Sequence, residues 1–313
     1  MRLVNDFKEY QILDMAHGEK LESWNGIILR RPDPQIIWPE ETYPELWSKA
    51  CATYHRSNTG GGYWEENKSV PKVFDVKYLD TTFRLKLMGF KHTGLFPEQA
   101  TNWVKVSNII KNSKRPLKVL NLFAYTGAAS VVALKAGASV VHVDSSRGMV
   151  DWAKENVAVN HLEDRPIRFL VDDCLKFVKR EIRRGNKYDI ILMDPPSFGR
   201  GSKNEVWNIE DNLYELVSCA SELMSDDFKL FLINSYSTGL SKTVLENVLY
   251  LTVNRQKEGV ISSDEIGISV QNSSLILPCG VTAMWENTNL QWFWFVVAFF
   301  LLYNVKYKCG VTT

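Results

Sequence analysis

The chain has 313 residues, 45% of them hydrophobic and 23% charged, which excludes a disordered or fibrous protein and allows one large core plus a smaller domain. With 37 basic against 36 acidic side chains the net charge is +1, so no global field draws it to a polyanion; nucleic acid would have to meet a local patch. Five scattered cysteines, Cys51, Cys174, Cys219, Cys279 and Cys309, form no CxxC pair, which argues against a disulfide framework and a thiolate metal site and fits a reducing cytoplasm.

The N-terminus, Met1 to Tyr10, carries Arg2, Asp6, Lys8 and Glu9 and no long apolar run, so it does not read as a signal peptide. Short extended pieces follow at Gly26 to Leu29, Lys72 to Tyr78 and Thr82 to Met88, with a glycine-rich loop at Ser57 to Gly62. Residues 1–110 therefore read as a small, β-rich domain. Its Trp24, Trp38, Trp47 and Trp64 either fill the core, the commoner use of such rings, or stack bases of single-stranded RNA. Arg30, Arg31, Lys111, Lys114 and Arg115 are ordinary surface cations or phosphate contacts.

Beyond the polar connector Lys111 to Pro116, strand-length apolar runs alternate with helix-length amphipathic segments, the pattern of βαβ units and a parallel sheet. The expected strands are Lys118 to Leu122, Ser139 to Val143, Ile167 to Val171, Tyr188 to Met193 and Lys229 to Ile233, with a terminal hairpin from Gly259 to Val270 and Ser274 to Leu277. Residues 111–285 thus form a doubly wound α/β domain, whose ligands belong at the carboxyl ends of the strands.

The first of those ends reads Asn121-Leu122-Phe123-Ala124-Tyr125-Thr126-Gly127. Its single glycine suits a nucleoside without a pyrophosphate, whereas a dinucleotide loop needs several; the bland alternative is that Gly127 only makes a tight turn. Asp144 ends the next strand close to the roughly 20-residue spacing at which an acid meets ribose hydroxyls, or else caps the helix starting near Arg147. Asp172 and Asp173 follow the third strand; one faces an adenine amino group, Asp173 being the better placed by alternation, and the other caps a helix. That helix, Cys174 to Arg184, has a basic face that meets either phosphate or solvent. The fourth strand ends in Asp194-Pro195-Pro196-Ser197-Phe198, where two prolines stiffen the backbone and free carbonyls toward a substrate; such a loop can present a carboxylate to the polar edge of an extruded base. In the last segment, 286–313, the charge-free run Leu290 to Val305 falls just short of the roughly 17–25 residues of a spanning helix and reads as a buried or adventitious tail before it reads as a membrane anchor.

These residues together resemble the class I S-adenosylmethionine-dependent methyltransferases, and among them the bacterial 23S (large-subunit) ribosomal RNA methyltransferases with a small N-terminal domain. The resemblance covers about residues 75 to 285 and includes Phe90-Lys91-His92-Thr93-Gly94-Leu95-Phe96-Pro97-Glu98-Gln99, similar to that family's KTG-to-acid-Gln segment, and Leu277-Pro278-Cys279-Gly280, similar to its final strand. It implies a Rossmann-like, mainly parallel seven-stranded sheet with an antiparallel last strand. It also implies S-adenosylmethionine as cofactor, held by Thr93, Gln99, Tyr125, Thr126, Gly127, Asp144 and Asp173, with Asp172 as the alternative to Asp173. Asp194, Pro195 and Pro196 would stand between cofactor and acceptor, with ribosomal RNA as the acceptor and no metal. The alternatives are a protein or small-molecule acceptor, or a silent cofactor-binding module. The stretch Leu232-Ile233-Asn234-Ser235-Tyr236-Ser237-Thr238 lacks the nucleophilic cysteine of relatives that methylate carbon 5 of cytosine, which disfavours that carbon and leaves a ring nitrogen, an amino group or a hydroxyl, with a ring nitrogen of guanine first. Ser197 replaces the aromatic residue of amino-methylating loops, with Phe198 one position later as a substitute.

Overall fold

A computed structural model of the chain describes residues 1–57, 61–200 and 206–287; the apolar run at 290–305 and part of the glycine loop lie outside the described residues. Among the described residues no helix is long and apolar enough to cross a membrane.

The apolar strands Lys118–Leu122, Ser139–Asp144, Ile167–Val171, Ile190–Met193 and Leu230–Ser235 form the parallel part of one sheet. Ile190–Met193 and Leu230–Ser235 are buried along their whole length, as strands covered by helices on both faces must be. Winding starts at Lys118–Leu122 and runs outward both ways, through Ser139–Asp144 to Ile167–Val171 on one side and through Ile190–Met193 to Leu230–Ser235 on the other. The order reverses between Lys118–Leu122 and Ile190–Met193, and a doubly wound sheet opens its ligand crevice at such a point. Two of the expected strands, Lys118–Leu122 and Ile167–Val171, have the bounds read from the sequence. Tyr188 makes only an isolated bridge to Met224 before the fourth begins at Ile190.

The terminal hairpin is longer than expected: Val260–Ser269 pairs antiparallel with Ile276–Glu286, which continues well past Leu277. Pro278 and Gly280 resemble turn punctuation, yet both lie in the strand, because the register shifts there and Cys279 bulges out between the partners of Gly267 and Ile266. The seven strands of this domain are joined by an eighth, Arg2–Val4, which returns from the start of the chain to pair in parallel with Val260–Ser269.

The N-terminal region is β-rich, as expected. Its five-stranded sheet runs Tyr10–Ala16, Glu19–Trp24, Ile27–Pro32, Ala52–Arg56, Gly62–Glu66, and a hairpin, Val73–Tyr78 with Thr81–Lys86, stands beside it. Trp24 and Trp47 are buried, and all four indole N–H groups donate within the protein: to Glu22, to the Met15 carbonyl, to Asp14 and to the Met88 carbonyl. The core use of these rings prevails over base stacking. A second correction concerns Arg31, which is no surface cation. It is 5% exposed, and its guanidinium donates to Glu22, itself fully buried, and at 2.8 Å to the Lys91 carbonyl. Arg30 pairs with Glu19, and Arg115 with Asp189 and Asp227.

One element escaped the sequence reading altogether, the helix Ala100–Lys111. Ala100 and Trp103 pack with the N-terminal core while Val106, Ile109 and Ile110 pack with the parallel sheet, so the expected boundary at 110/111 falls at the end of a helix that serves both. The basic face of the helix Cys174–Arg183 is largely neutralised within the protein: Lys179 pairs with Glu215 and Arg180 with Asp172.

Candidate active site

The turn after Lys118–Leu122 is held in an unusual backbone. Phe123, Tyr125 and Gly127 have φ of 52°, 51° and 84°, and two of these residues carry side chains that rarely adopt left-handed angles. Asp144 supports the turn by accepting from the Tyr125 N–H at 2.9 Å, and its other oxygen accepts from the Ser146 N–H at 2.9 Å. Burial raises the Asp144 carboxyl above its ordinary value, against those two N–H groups. Ser146, not Asp144, takes the cap position of the helix Arg147–Ala158, which leaves Asp144 facing a cavity. Beneath the turn, Asn121 donates to the Ser130 hydroxyl, which meets the His142 ring at 3.0 Å.

Gly127 has a structural reason to be glycine. A Cβ at this position would stand 2.9 Å from the Ala153 Cβ, so the residue lets two helices approach, and it lines neither of the cavities described below.

Two adjoining cavities lie over the switch point. The inner one is walled by the Phe123–Thr126 turn, by Gly94 to Phe96, and by Gln99, Asn102, Asp194 and Asn234. The outer one runs from Asp144 past Asp194, Pro195 and Pro196 to Lys20, Arg31, Lys91 and Glu98 of the N-terminal part. Leu95, Phe96, Phe123, Tyr125 and Asp194 border both. Phe96 packs against His92, Tyr125 and Tyr236, with ring centroids 4.9, 5.5 and 5.4 Å apart, and makes the partition aromatic. The Tyr125 hydroxyl and the Thr93 hydroxyl are buried without a hydrogen-bond partner. Such orphans are rare in a finished core, and Tyr125 borders both cavities, so a polar ligand seated there would satisfy its hydroxyl.

Asp194 sits at the junction of the cavities. The Asn234 amide donates to one of its oxygens at 3.1 Å and the Gln99 amide to the other at 3.1 Å. Both amides are themselves fixed: Gln99 accepts from Asn102 at 2.7 Å, and Asn234 accepts from the Thr282 hydroxyl at 2.6 Å. Burial pushes the Asp194 carboxyl up to about 7, and nearby Glu98 adds to this against the two amides. Asn102, Asn234, Tyr236 and Thr282 were not expected at the site. Only Asn102 left a local trace, standing one helical turn after Gln99.

Two other expectations meet a different geometry. Neither Asp172 nor Asp173 lines either cavity: Asp172 pairs with Arg180, and Asp173 caps its helix by accepting from the Lys176 N–H at 2.8 Å. The carbonyls after the proline pair are not all free, because the Trp207 indole donates to that of Pro196 at 2.7 Å and the Ile209 N–H to that of Ser197 at 3.0 Å. Cys279, absent from the reading of this site, reaches the outer cavity. Burial raises its thiol well above the ordinary value, so it stays protonated and is a poor nucleophile.

Residues 56–233, more than half of the chain, match a family model described as S-adenosylmethionine-dependent methyltransferase. The ribosomal RNA large subunit methyltransferase K/L of Shewanella frigidimarina is 35% identical over 185 residues, 58% of this chain and 25% of that protein. Its counterpart from Pseudoalteromonas atlantica is 37% identical over 153 residues, 48% of this chain and 21% of that protein. The chain thus spans about a quarter of the length of these curated relatives. The crystal structure of an Agrobacterium tumefaciens SAM-dependent methyltransferase is 34% identical and superimposes with a TM-score of 0.86, covering 91% of this chain and 92% of that one. A Streptococcus mutans structure, 17% identical with a TM-score of 0.69 over 90% of this chain and 76% of that one, shares the fold.

Proposed function

The chain belongs to the S-adenosylmethionine-dependent methyltransferase family, and from that premise we propose that it methylates a base nitrogen of large-subunit ribosomal RNA in the cytoplasm. The cofactor supplies an electrophilic methyl group on a sulfonium that leaves readily, so the protein's task is to align an acceptor and exclude water. The residues present fit such a nucleoside: the Tyr125 hydroxyl is a buried donor without a partner, and Asp144 is a carboxylate at the cavity wall. In this reading Asp144 accepts from the ribose hydroxyls. Tyr125, Thr126 and the backbone after Gly94 hold the amino-acid portion, with Thr93 and Gln99 behind them and Gly127 setting the turn. Asp194 and the stiff Pro195-Pro196 backbone present the acceptor's polar edge.

The observation that carries this proposal is Asp194, buried where both cavities meet and gripped by two fixed amides. The rRNA methyltransferase relatives favour ribosomal RNA over other acceptors. The protonated Cys279 thiol supports nitrogen over carbon 5 of cytosine, which needs a thiolate adduct. The test is nucleoside mass spectrometry of large-subunit RNA from cells with and without the gene. One N-methylated base should disappear on deletion; loss of 5-methylcytosine, or an unchanged nucleoside profile, would refute the reading.

A further inference from the structure

Resting on the reading that the acceptor is RNA, we propose that Lys91 and His92, on the wall of the outer cavity that the N-terminal sheet holds in place, bind the backbone phosphate beside the base that enters at Asp194. The seat serves a phosphodiester and not the carboxylate of the cofactor.

A chain of net charge +1 has to meet a polyanion through a local patch. Among the described residues three lysine or arginine side chains line the outer cavity, Lys20, Arg31 and Lys91, and two of them are engaged. Arg31 is held by Glu22, and Lys20 pairs with Asp33 at 3.2 Å. The Lys91 ammonium has no hydrogen bond or ion pair among the described residues. Asp33 attracts it, but both oxygens of that carboxylate have other partners, Lys20 and the Gln35 N–H at 3.2 Å. The His92 ring lines the same cavity, and its nitrogens also lack a hydrogen-bond partner among the described residues. Burial lowers this ring to about 3, so it is neutral and has one N–H to donate. Burial, with Lys20, Arg56 and Arg31 close by, lowers the Lys91 ammonium to about 8, which marks a cation short of negative neighbours. An unpaired ammonium beside an unpaired ring N–H, both on one cavity wall, suits a phosphate oxygen pair.

The seat is fixed relative to the rest of the site. Arg31 donates to the Lys91 carbonyl at 2.8 Å, the Lys86 N–H to the Thr93 carbonyl at 3.1 Å, and the His92 ring packs on Phe96 with centroids 4.9 Å apart. Neither Lys91 nor His92 lines the inner cavity, which takes the amino-acid end of the cofactor in this reading. A nucleotide whose base lies at Asp194 carries its phosphate on the same ribose, so that phosphate is the anion due at the cationic end of the outer cavity.

The test uses the full chain and large-subunit RNA from cells lacking the gene. It follows RNA affinity over a range of salt, methyl transfer against RNA concentration, and S-adenosylmethionine affinity by calorimetry. Lys91→Met should weaken RNA binding about tenfold, the worth of a charge-assisted hydrogen bond, and lower the slope of log affinity against log salt by about one. Transfer at limiting RNA should fall by the same factor, and excess RNA should recover most of it. Cofactor affinity should match the wild type, and Lys91→Arg should restore the slope. Because Lys91 stands among cations, Lys91→Met should unfold in urea at a midpoint no lower than that of the wild type. Inorganic phosphate probes the seat without any acceptor: it should shift the His92 ring resonances saturably in the wild type and not in Lys91→Met. An unmoved salt slope, a loss of cofactor affinity in place of RNA affinity, or a lowered urea midpoint overturns the proposal. Equal phosphate shifts in both proteins would mark an adventitious ion only and overturn it as well. Methyl label in protein and not in RNA would defeat the RNA reading alone, and the phosphate titration would then decide the seat.

Discussion

Replacing Glu22 by Gln tests how the N-terminal sheet holds the wall of the site. Four donors converge on the Glu22 carboxylate: the Tyr10 hydroxyl at 2.9 Å, the Trp24 indole at 2.7 Å, and the Nε and Nη2 of Arg31 at 2.5 and 2.9 Å. A glutamine keeps the shape but turns one acceptor into a donor facing other donors. It also leaves Arg31, 5% exposed, without its counter-charge. Breaking a buried pair from one side costs about 3–5 kcal/mol, far more than the net worth of the pair itself. The damage should reach function, because Arg31 also holds the Lys91 carbonyl at 2.8 Å, at the root of the segment that carries Phe96, Glu98 and Gln99 to the cavities. Urea unfolding of the full chain should show a midpoint lowered by that energy with the slope unchanged, and calorimetry should show weakened binding of S-adenosylmethionine. The pH dependence has a definite sign. Burial raises the Glu22 carboxyl, but Arg31, Lys20 and the donors outweigh it, so its folded value lies below the ordinary 4.5. The stabilisation is complete above pH 4.5 and is lost as pH falls through the lower folded value, so the wild type should lose its advantage over Glu22→Gln only in acid. A destabilisation under 1 kcal/mol, with cofactor binding intact, would refute this reasoning.

Three further outcomes follow from the site. Asp144→Asn should weaken S-adenosylmethionine binding by about 1.5–3 kcal/mol, the worth of hydrogen bonds to a charged group; an unchanged dissociation constant by calorimetry would remove Asp144 from the ribose. Gly127→Ala forces a side chain to φ of +84° and its Cβ to 2.9 Å from Ala153, and should cost about 1–3 kcal/mol in urea unfolding. Cys279→Ser should leave the methyl-transfer rate essentially unchanged; abolished transfer would instead show that this thiol attacks the base.

The sequence carried the parallel half of the fold because a strand covered on both faces must be apolar throughout, and Ile190–Met193 announces itself in that way. The hairpin's last strand was cut short because Pro278 and Gly280 punctuate turns in isolation, whereas a bulge accommodates them inside a strand. At the site, Asp194, Pro195 and Asp144 were legible since Asp144 ends its strand, Asp194 and Pro195 come just after theirs, and their chemistry has few bland uses. The residues that hold Asp194 were not. Gln99 was expected as a cofactor residue, but its meeting with Asn234 and Thr282 around Asp194 comes only once a helix and two strands are assembled, and no local spacing encodes that meeting. Arg31 was misjudged for the same reason: an arginine reads as surface until the buried carboxylate on the neighbouring strand is known.

The most direct measurement is tritium transfer from S-adenosylmethionine to large-subunit RNA by the purified wild type and by Asp194→Asn, with donor affinity measured on both. The wild type should label a base nitrogen, and the variant should transfer ~10²-fold less or worse while binding the donor comparably. Equal transfer by the two proteins, or no label in RNA from the wild type, would contradict the account.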